Sequence, residues 1–287
     1  MALPRTRMLF PLLTAGLLAA APARAELGPK PGDWSLGYAV YVGGVHVLDA
    51  TAHVGLGSSD YRIGLAAATE GFLGRVASWK ADVASHGVLE PGAAGPLRPN
   101  LFRSHGAWQD KPRNTVVEYT ADGLPKVTVA DPPPEKDREP VPENLRPNTV
   151  DPMSAVVVVL QAVAQGQGCK ATVPVYDGRQ RYDLSFTPKG TEDIAKSDLS
   201  VFAGPAQACG LDFKPVAGRW KEDRARRDRD EEGRRRNPRD VTLWVAPAQA
   251  DRPPLPVRLE SDSPLGKVVV HLSRLERVGG EKRAEAR

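Results

Sequence analysis

Two cysteines are the residues of this 287-residue chain whose chemistry is easiest to specify. Cys169 and Cys209 are its only cysteines. They lack the C-x-x-C spacing of a redox-active pair, and no histidine lies near them in the sequence to lower a thiol pKa. An even cysteine count in a chain with an export signal, described below, favours oxidation. We therefore predict one structural disulfide between Cys169 and Cys209.

The five histidines are a weaker indication of metal binding. Only His46 and His53 share a predicted strand. Their odd spacing places them on opposite faces of a regular strand, whereas a β-bulge between them would bring them to the same face. A metal pair is one interpretation, and ordinary exposed or hydrogen-bonded strand residues are the other. We expect no metal and no other cofactor.

Arg103 and Trp108 flank Ser104-His105-Gly106 in a polar, aromatic segment. The pair is a candidate binding site for an anionic or sugar-like group. The alternative is an arginine at a strand end and a half-buried tryptophan with no ligand. No G-x-S-x-G, H-E-x-x-H or Walker motif is present. We assign no catalytic residue and predict a non-enzymatic protein, with a hydrolase of dispersed catalytic residues as an alternative.

Residues 1–25 predict export. Arg5 and Arg7 precede an apolar run over residues 8–21, and Ala23-Arg24-Ala25 is a small-x-small cleavage site. The run is shorter than the roughly 20 residues of a membrane-spanning helix. We expect a signal peptide cleaved near Ala25, a soluble exported protein without a transmembrane anchor, and residues 26–33 as the leader of the mature chain.

The charge balance of the remaining chain excludes one class of partner. Three of the 39 basic residues and none of the 35 acidic residues lie in residues 1–25, so the mature chain has a net charge of +1. A nucleic-acid-binding protein usually has a clear excess of basic residues. We therefore expect no nucleic-acid partner.

Alternating apolar residues predict an antiparallel meander from Trp34 to His86. Gly43-Gly44 is a two-residue hairpin signal. In the next strand the apolar positions change parity, which predicts a β-bulge near Leu48-Asp49 that curls the sheet. The 27 glycines and 27 prolines favour turns over long helices. The predicted fold is mainly β: a single antiparallel wrapped sheet or barrel-like domain with one buried helix.

That helix is predicted to begin at Asp151-Pro152. Asp151 is suited to accept the free N–H groups at a helix start, and Pro152 has no N–H to leave unsatisfied. Gly166 or Gly168 is expected to end the helix. Residues 153–163 are apolar on nearly every side, so the helix should be buried.

The second half returns to strands, beginning with a hairpin at Asp177-Gly178. Further strands are predicted at residues 199–202, 211–213, 241–245, 255–259 and 267–275. The whole of residues 34–276 is interpreted as one domain. Within it, residues 131–150 are expected to be a solvated proline-rich loop and residues 219–239 an ionic loop. Beyond it, residues 277–287 are expected to be a disordered tail.

Six short segments, in order, resemble an exported bacterial family catalogued as domain of unknown function 3108. They are Tyr38-Ala39-Val40-Tyr41-Val42-Gly43-Gly44, Tyr61-Arg62-Ile63, Leu97-Arg98-Pro99-Asn100-Leu101-Phe102-Arg103-Ser104, Val150-Asp151-Pro152-Met153-Ser154, Val175-Tyr176-Asp177-Gly178-Arg179 and Leu255-Pro256-Val257-Arg258-Leu259. The resemblance covers about residues 34–275. It implies a single antiparallel β domain in the periplasm and supplies no reaction or ligand.

The function remains open between three classes of protein. The first is a non-enzymatic periplasmic protein that binds a lipid or other apolar ligand, between the sheet and the helix starting at Pro152, or that supports envelope maintenance. The second is a module that docks an envelope protein through residues 131–147 or the ionic run after Arg219. The third is the hydrolase mentioned above.

Overall fold

The computed structural model describes residues 27–69, 78–90, 97–109, 111–133, 138–219, 221, 239–249, 251–280 and 282–285. The first strands are β1 (Trp34–Val42), β2 (Val45–Leu56), β3 (Asp60–Thr69), β4 (Trp79–Leu89), β5 (Leu97–Trp108), β6 (Lys111–Tyr119) and β7 (Pro125–Asp131). A short 3-10 helix (Glu143–Leu145) and α1 (Pro152–Ala164) follow. The later strands are β8 (Ala171–Tyr176), β9 (Arg181–Ile194), β10 (Gly204–Ala217), β11 (Arg239–Ala246), β12 (Leu255–Ser263), β13 (Gly266–Arg277) and β14 (Lys282–Glu285).

The described strands form one antiparallel sheet. Strands β1–β7 pair in chain order, as do β8–β13. β1 pairs with both β2 and β13, so it joins the two meanders, and β14 pairs with β13 outside this path. Residues of both meanders and of α1 share one hydrophobic core. The prediction of a mainly β, wrapped, barrel-like sheet with one buried helix is confirmed.

The first hairpin shows why the sheet curls. Gly43 and Gly44 both have positive φ, at 58° and 85°, as a tight two-residue turn requires. Val40 pairs with Leu48 but Tyr41 pairs with His46, so Val47 is the extra residue of a β-bulge. The predicted bulge near Leu48-Asp49 therefore exists and lies one residue earlier.

Helix α1 begins as its sequence predicts. The Asp151 side chain accepts hydrogen bonds from the backbone N–H groups of Met153 and Ser154, and Pro152 is the first helical residue. The helix ends before Gly166, whose φ is 71°. It packs against β8 on one side and β3, β4 and β5 on the other. The helix thus fills part of the interior of the wrapped sheet.

The turn between β8 and β9 connects the two ends of the sheet. The Arg179 guanidinium is buried and donates to Thr115 Oγ1 (3.1 Å), to the Asn114 carbonyl (3.2 Å) and to the Pro132 carbonyl (2.8 Å). Asp177 accepts from the backbone N–H groups of Arg179 and Gln180, which shapes the turn. Because β7 and β8 are the two ends of the strand order, these bonds draw the ends together.

The proline-rich segment 131–150 differs from its prediction. Part of it packs on the domain: Val141 and Arg138 are buried, and Arg138 donates to the Gly218 carbonyl. Val150 forms a parallel bridge with Val175 of β8. The expected solvated loop is wrong for these residues, because the segment supplies backbone groups that cover the free edge of β8.

Two other predictions are wrong in the second half. Residues 199–202 belong to the connection between β9 and β10 and form no strand, although Val201 donates a backbone hydrogen bond to Leu272. Residues 277–287 are not wholly disordered, since β14 pairs with the end of β13. β12 pairs with β13 only as far as His271, so the same edge of β13 is open to β14 after that residue.

Some predictions lie outside the described residues. These are the signal peptide at residues 1–25 and all of the ionic loop at residues 219–239 except Arg219, Lys221 and Arg239. Within the part of the chain that is described, no helix is long and apolar enough to cross a membrane.

A glycine pair tests the contact that draws the sheet ends together. Gly178 (φ 90°) and Gly190 (φ 99°) have similar backbone conformations, so alanine is similarly strained at both. A Cβ at Gly178 would lie 2.5 Å from Thr115 Cγ2, whereas nothing lies within 4 Å of a Cβ at Gly190. Gly178→Ala should lower the free energy of unfolding by about 1–3 kcal/mol more than Gly190→Ala. Urea denaturation measures both; equal losses would show that the turn does not depend on close packing with β6.

Candidate functional site

A buried carboxylate lies at the start of α1. Besides the two backbone N–H groups, Asp151 accepts hydrogen bonds from Ser85 Oγ (2.8 Å) and Ser154 Oγ (2.5 Å). Ser154 Oγ lies 2.6 Å from Tyr61 Oη and 3.0 Å from Ser85 Oγ. All four side chains are buried. We call Tyr61, Ser85, Asp151 and Ser154 the polar core cluster; it joins α1 to β3 and β4.

Burial controls the protonation of this cluster. It raises the pKa of Asp151, against the opposing effect of hydrogen bonds from Ser154, Ser85 and Met153. Burial also raises the pKa of Tyr61, and the nearby Asp151 charge adds to this. Serine, carboxylate and tyrosine together resemble parts of a hydrolytic site. However, the three hydroxyl groups bond within the cluster and no member is exposed, so the arrangement fixes the helix and offers no nucleophile to a substrate.

The inner face of the sheet opens to solvent beside this buried layer. The row Ile63, Ser85 and Phe102, on paired positions of β3, β4 and β5, is fully buried. One step along the same face, Leu65 is 38% exposed, and its neighbours Val83 and Ser104 are only half-buried. The following row, Ala67, Ala81 and Gly106, is half-buried too. We call Leu65, Ala67, Ala81, Val83, Ser104 and Gly106 the inner trough.

The rim of the inner trough lies at the turn between β5 and β6. Trp108 pairs with Trp79 on one side and with Lys111 on the other. Alternation along the strands places all three on the same face as the trough. Trp108 is 53% exposed, and Lys111 and Arg113 are exposed as well. The face therefore changes from buried apolar residues to an aromatic and cationic border.

Separate clefts occur near the ends of the domain. One of about 640 Å³ is bordered by Gln161 of α1 and by Arg62. Arg62 donates to Asp33 (2.9 Å) and Asp60 (2.6 Å), and the hydrogen bond with Asp33 is the main reason that its pKa is raised. These ion pairs neutralise the charge of Arg62 within the protein, so this cleft is a weaker candidate for a ligand site than the trough.

The two residues predicted to bind a ligand do not converge. Arg103 and Trp108 both lie on β5, but alternation places them on opposite faces. They lie five positions apart along the strand, or about 17 Å. Arg103 forms an ion pair with Asp82 (3.1 Å). Trp108 alone borders the inner trough.

The histidines His46 and His53 also remain apart. With the bulge at Val47 both lie on the outer face of β2, seven residues from each other. His46 Nε2 is 2.9 Å from Asp49 Oδ1, and the His53 ring covers Gly64, where a Cβ would lie 2.2 Å from it. Burial lowers the pKa of His53. Among the described residues, no three histidine, cysteine or acidic side chains form a metal-binding group.

The predicted disulfide between Cys169 and Cys209 is confirmed, with a Cα–Cα distance of 6.0 Å. Both residues are fully buried. The bridge ties the segment after α1 to β10. The expected ligand position between α1 and the sheet is filled in the described region by Val159, Tyr182 and Phe186.

Sequence reasoning found Asp151 as a helix cap but missed Ser85 and Tyr61 as its partners. They lie 66 and 90 residues before Asp151 in the numbering, and a lone serine on a strand has no local signature of burial. The inner trough was missed as well, since alternation predicts which face is inner but not how much of that face is covered.

Removing the disulfide should destabilise the fold. For a bridge that spans 40 residues, the loop-entropy model predicts that Cys169→Ala/Cys209→Ala lowers the free energy of unfolding by about 3–4 kcal/mol. Denaturant unfolding of the variant measures the loss. Reductant should destabilise the natural protein to a similar extent and leave the variant unchanged; an effect of reductant on the variant would contradict this explanation.

Removing Ser154 Oγ should give a pH-dependent loss. Ser154→Ala removes a bond that holds the pKa of Asp151 down, so the folded-state pKa rises further above its unfolded value. We expect the free energy of unfolding to fall by about 1–3 kcal/mol at neutral pH. The deficit relative to the natural protein should shrink as the pH falls through the raised pKa, because the folded variant then takes up a proton. Ser35→Ala is the control. A deficit that stays constant between pH 7 and the acid range would argue against a charged Asp151.

Comparisons with known proteins give a family but no activity. A family model described as "Protein of unknown function (DUF3108)" matches residues 37–273. A search of curated proteins found no match. A solved structure, the β-barrel-like protein of domain of unknown function DUF1849 from Brucella abortus, is similar with a TM-score of 0.49 and 8% identity, covering 87% of this chain and 99% of that one. Because the family model matches most of its length, the chain belongs to the DUF3108 family.

Proposed function

We propose that this protein is a non-enzymatic binding protein of the bacterial periplasm and that it holds an apolar chain in the inner trough. The exposure of Leu65 carries the proposal. Its side chain is 38% exposed on the inner face, although Ala52, its neighbour on β2, is buried. An open aliphatic surface inside a wrapped sheet favours a bound apolar group.

The sizes of the trough residues support the same conclusion. Ala67, Ala81 and Gly106 form a row across three adjacent strands. Each has at most one side-chain carbon, so the row contributes little side-chain volume above the sheet. Leu65 and Val83 supply the aliphatic contact beside this space.

The energy available from such a surface suits a reversible carrier. Each methylene group that leaves water contributes about 0.8 kcal/mol. A chain that buries about eight methylenes would gain roughly 6 kcal/mol, which corresponds to a dissociation constant on the order of tens of micromolar. The cost of ordering the chain weakens this further.

The chemistry of the trough supports binding over turnover. Of its six described residues, Ser104 alone has a polar side chain, and none is titratable. The carboxylate of Asp151 lies in the buried layer beside the trough. A general acid or base must reach the group on which it acts, so the trough lacks the residues that a hydrolase needs.

Two features support the periplasmic assignment. Residues 1–25 have the order of a secretory signal peptide, with a basic start, an apolar run and a small-x-small site. The Cys169–Cys209 disulfide is of a kind that persists in oxidising compartments.

A tryptophan placed in the trough tests the proposal. Binding of the uncharged fluorophore phenylnaphthylamine is measured by its fluorescence in the mature protein. Ala67→Trp places an indole in the trough and should weaken binding by about tenfold, equal to about 1.4 kcal/mol. Ala66→Trp, on the outer face of the same strand, is the matched control and should bind like the natural protein.

The outcomes separate clearly. If the natural protein binds no fluorophore, or if both variants bind it as the natural protein does, the trough is not the ligand site. Circular dichroism and thermal unfolding show whether each variant has folded. If Ala67→Trp does not fold, Val83→Glu replaces it. An apolar ligand in the trough would remove water from the new carboxylate, and this cost should weaken binding.

A further inference from the structure

The apolar part of the inner face extends beyond the inner trough, onto β2, β1, β13 and β12. Six aliphatic side chains on these strands are half-buried. We call them the aliphatic wall: Val40, Val42, Leu48, Leu259, Val268 and Val270. Tyr38, Ala50 and Leu272 belong to the hydrophobic core, and alternation from them along β1, β2 and β13 places the wall on the inner face. Leu259 of β12 is placed there by its pairing with Val270.

The burial of the inner side chains falls towards the turn between β1 and β2. On β1, Tyr38 is buried, whereas Val40 and Val42 are half-buried. On β13, Leu272 is fully buried and Val270 is half-buried. The closed core therefore ends at Tyr38 and Leu272, and the aliphatic wall lies beyond it, where the inner face is open to solvent.

The aliphatic wall is continuous with the inner trough. Thr69 follows the trough residue Ala67 on the inner face of β3. A row of directly paired residues runs from it across five strands, in the order Thr69, Leu48, Val40, Val270 and Leu259. The trough and the wall together lie on seven adjacent strands, β5-β4-β3-β2-β1-β13-β12. Neighbouring strands are about 4.8 Å apart, so this surface measures about 29 Å around the sheet.

The charged side chains beside the wall lie on the outer face. Glu260 of β12 forms ion pairs with Arg258 of the same strand and with Lys267 of β13. These residues alternate with Leu259 and Val268, which face inward. The wall itself consists of aliphatic residues alone, so it can contact an apolar chain but offers no charge and no hydrogen bond to a polar head.

From these observations we infer that the ligand is a lipid with two acyl chains, one in the inner trough and the other on the aliphatic wall. The inference rests on the proposed function and deepens it. An extended alkyl chain is about as wide as one strand spacing, so a single chain covers only part of a surface that lies on seven strands. Neither the trough nor the wall carries a charged side chain, so the head group stays at the open end, in contact with water.

A second chain should raise the affinity of the ligand. Each methylene group that the wall removes from water contributes to binding. Ordering the chain against the wall offsets part of this gain. For a second chain of eight carbons, we expect a net gain in affinity of about tenfold or more.

The test measures displacement of phenylnaphthylamine from the mature natural protein by two matched lipids. Dioctanoylphosphatidylcholine and octanoyl-lysophosphatidylcholine have the same head group and the same acyl chain, and they differ in the number of chains. Both are used below the concentrations at which they form micelles. We expect the two-chain lipid to compete about tenfold better than the one-chain lipid, or more.

Two neighbouring valines of β13 provide the matched variants. Val270 lies on the inner face and Val269 on the outer face, and both are half-buried. Val270→Trp places an indole on the wall and should abolish the advantage of the second chain, while the one-chain lipid competes as it does with the natural protein. Val269→Trp makes the same change on the outer face and should preserve the advantage.

The folding of each variant is checked by circular dichroism and thermal unfolding. If Val270→Trp does not fold, Val268→Glu replaces it. A chain on the wall would remove water from the new carboxylate, and this cost should also abolish the advantage of the second chain.

The results distinguish this inference from the proposed function. If the natural protein binds no fluorophore, both fail. If it binds the fluorophore but the two lipids compete equally, or if the inner-face variant keeps the advantage of the second chain, the two-chain ligand is wrong and the trough stands as a one-chain site. An equal loss of the advantage in Val269→Trp would show that the wall is not the cause and would also overturn the inference.

Discussion

The structure depends on satisfying the backbone of a helix that begins inside the sheet. The first N–H groups of α1 have no partners within the helix. Oδ1 of Asp151 accepts from the backbone N–H groups of Met153 and Ser154, and Oδ2 accepts from the hydroxyl groups of Ser85 and Ser154. Since Tyr61 bonds to Ser154 in turn, one carboxylate fixes the helix against two strands of the first meander. A buried charge is costly, and here four donors offset the cost.

The position of the helix explains why the interior is filled unevenly. α1 is 13 residues long and packs on β8 and on parts of β3, β4 and β5. Beneath it the inner side chains form a closed core. Beyond it the strands continue, and Leu65 is 38% exposed. The part of the inner face under α1 stabilises the fold, and the part beyond α1 exposes apolar side chains. A mainly β chain with one short helix therefore combines a packed core with a partly exposed apolar face.

The sequence predicted those structural features that depend on residues close together in the chain. The Gly43-Gly44 hairpin, the Asp151 cap and the parity of the strands follow from local backbone chemistry. The partners of Asp151 and the exposure of Leu65 did not follow, because both depend on residues that meet only through the sheet. The segment 131–150 was misjudged for a similar reason: proline content indicates an extended chain but not whether that chain covers an edge strand.

The pairing of β1 with β13 has a consequence for how the chain assembles. β1 is the first strand of the domain, and its second partner lies near the opposite end of the sequence. Synthesis delivers a chain from its N-terminus, so one edge of β1 stays unpaired until β13 has been made. Sheets whose paired strands are far apart in the sequence fold slowly, and they are prone to aggregate while their strand edges are unpaired. The exposed edge of β1 is therefore the part of the first meander most open to wrong strand pairing before β13 arrives.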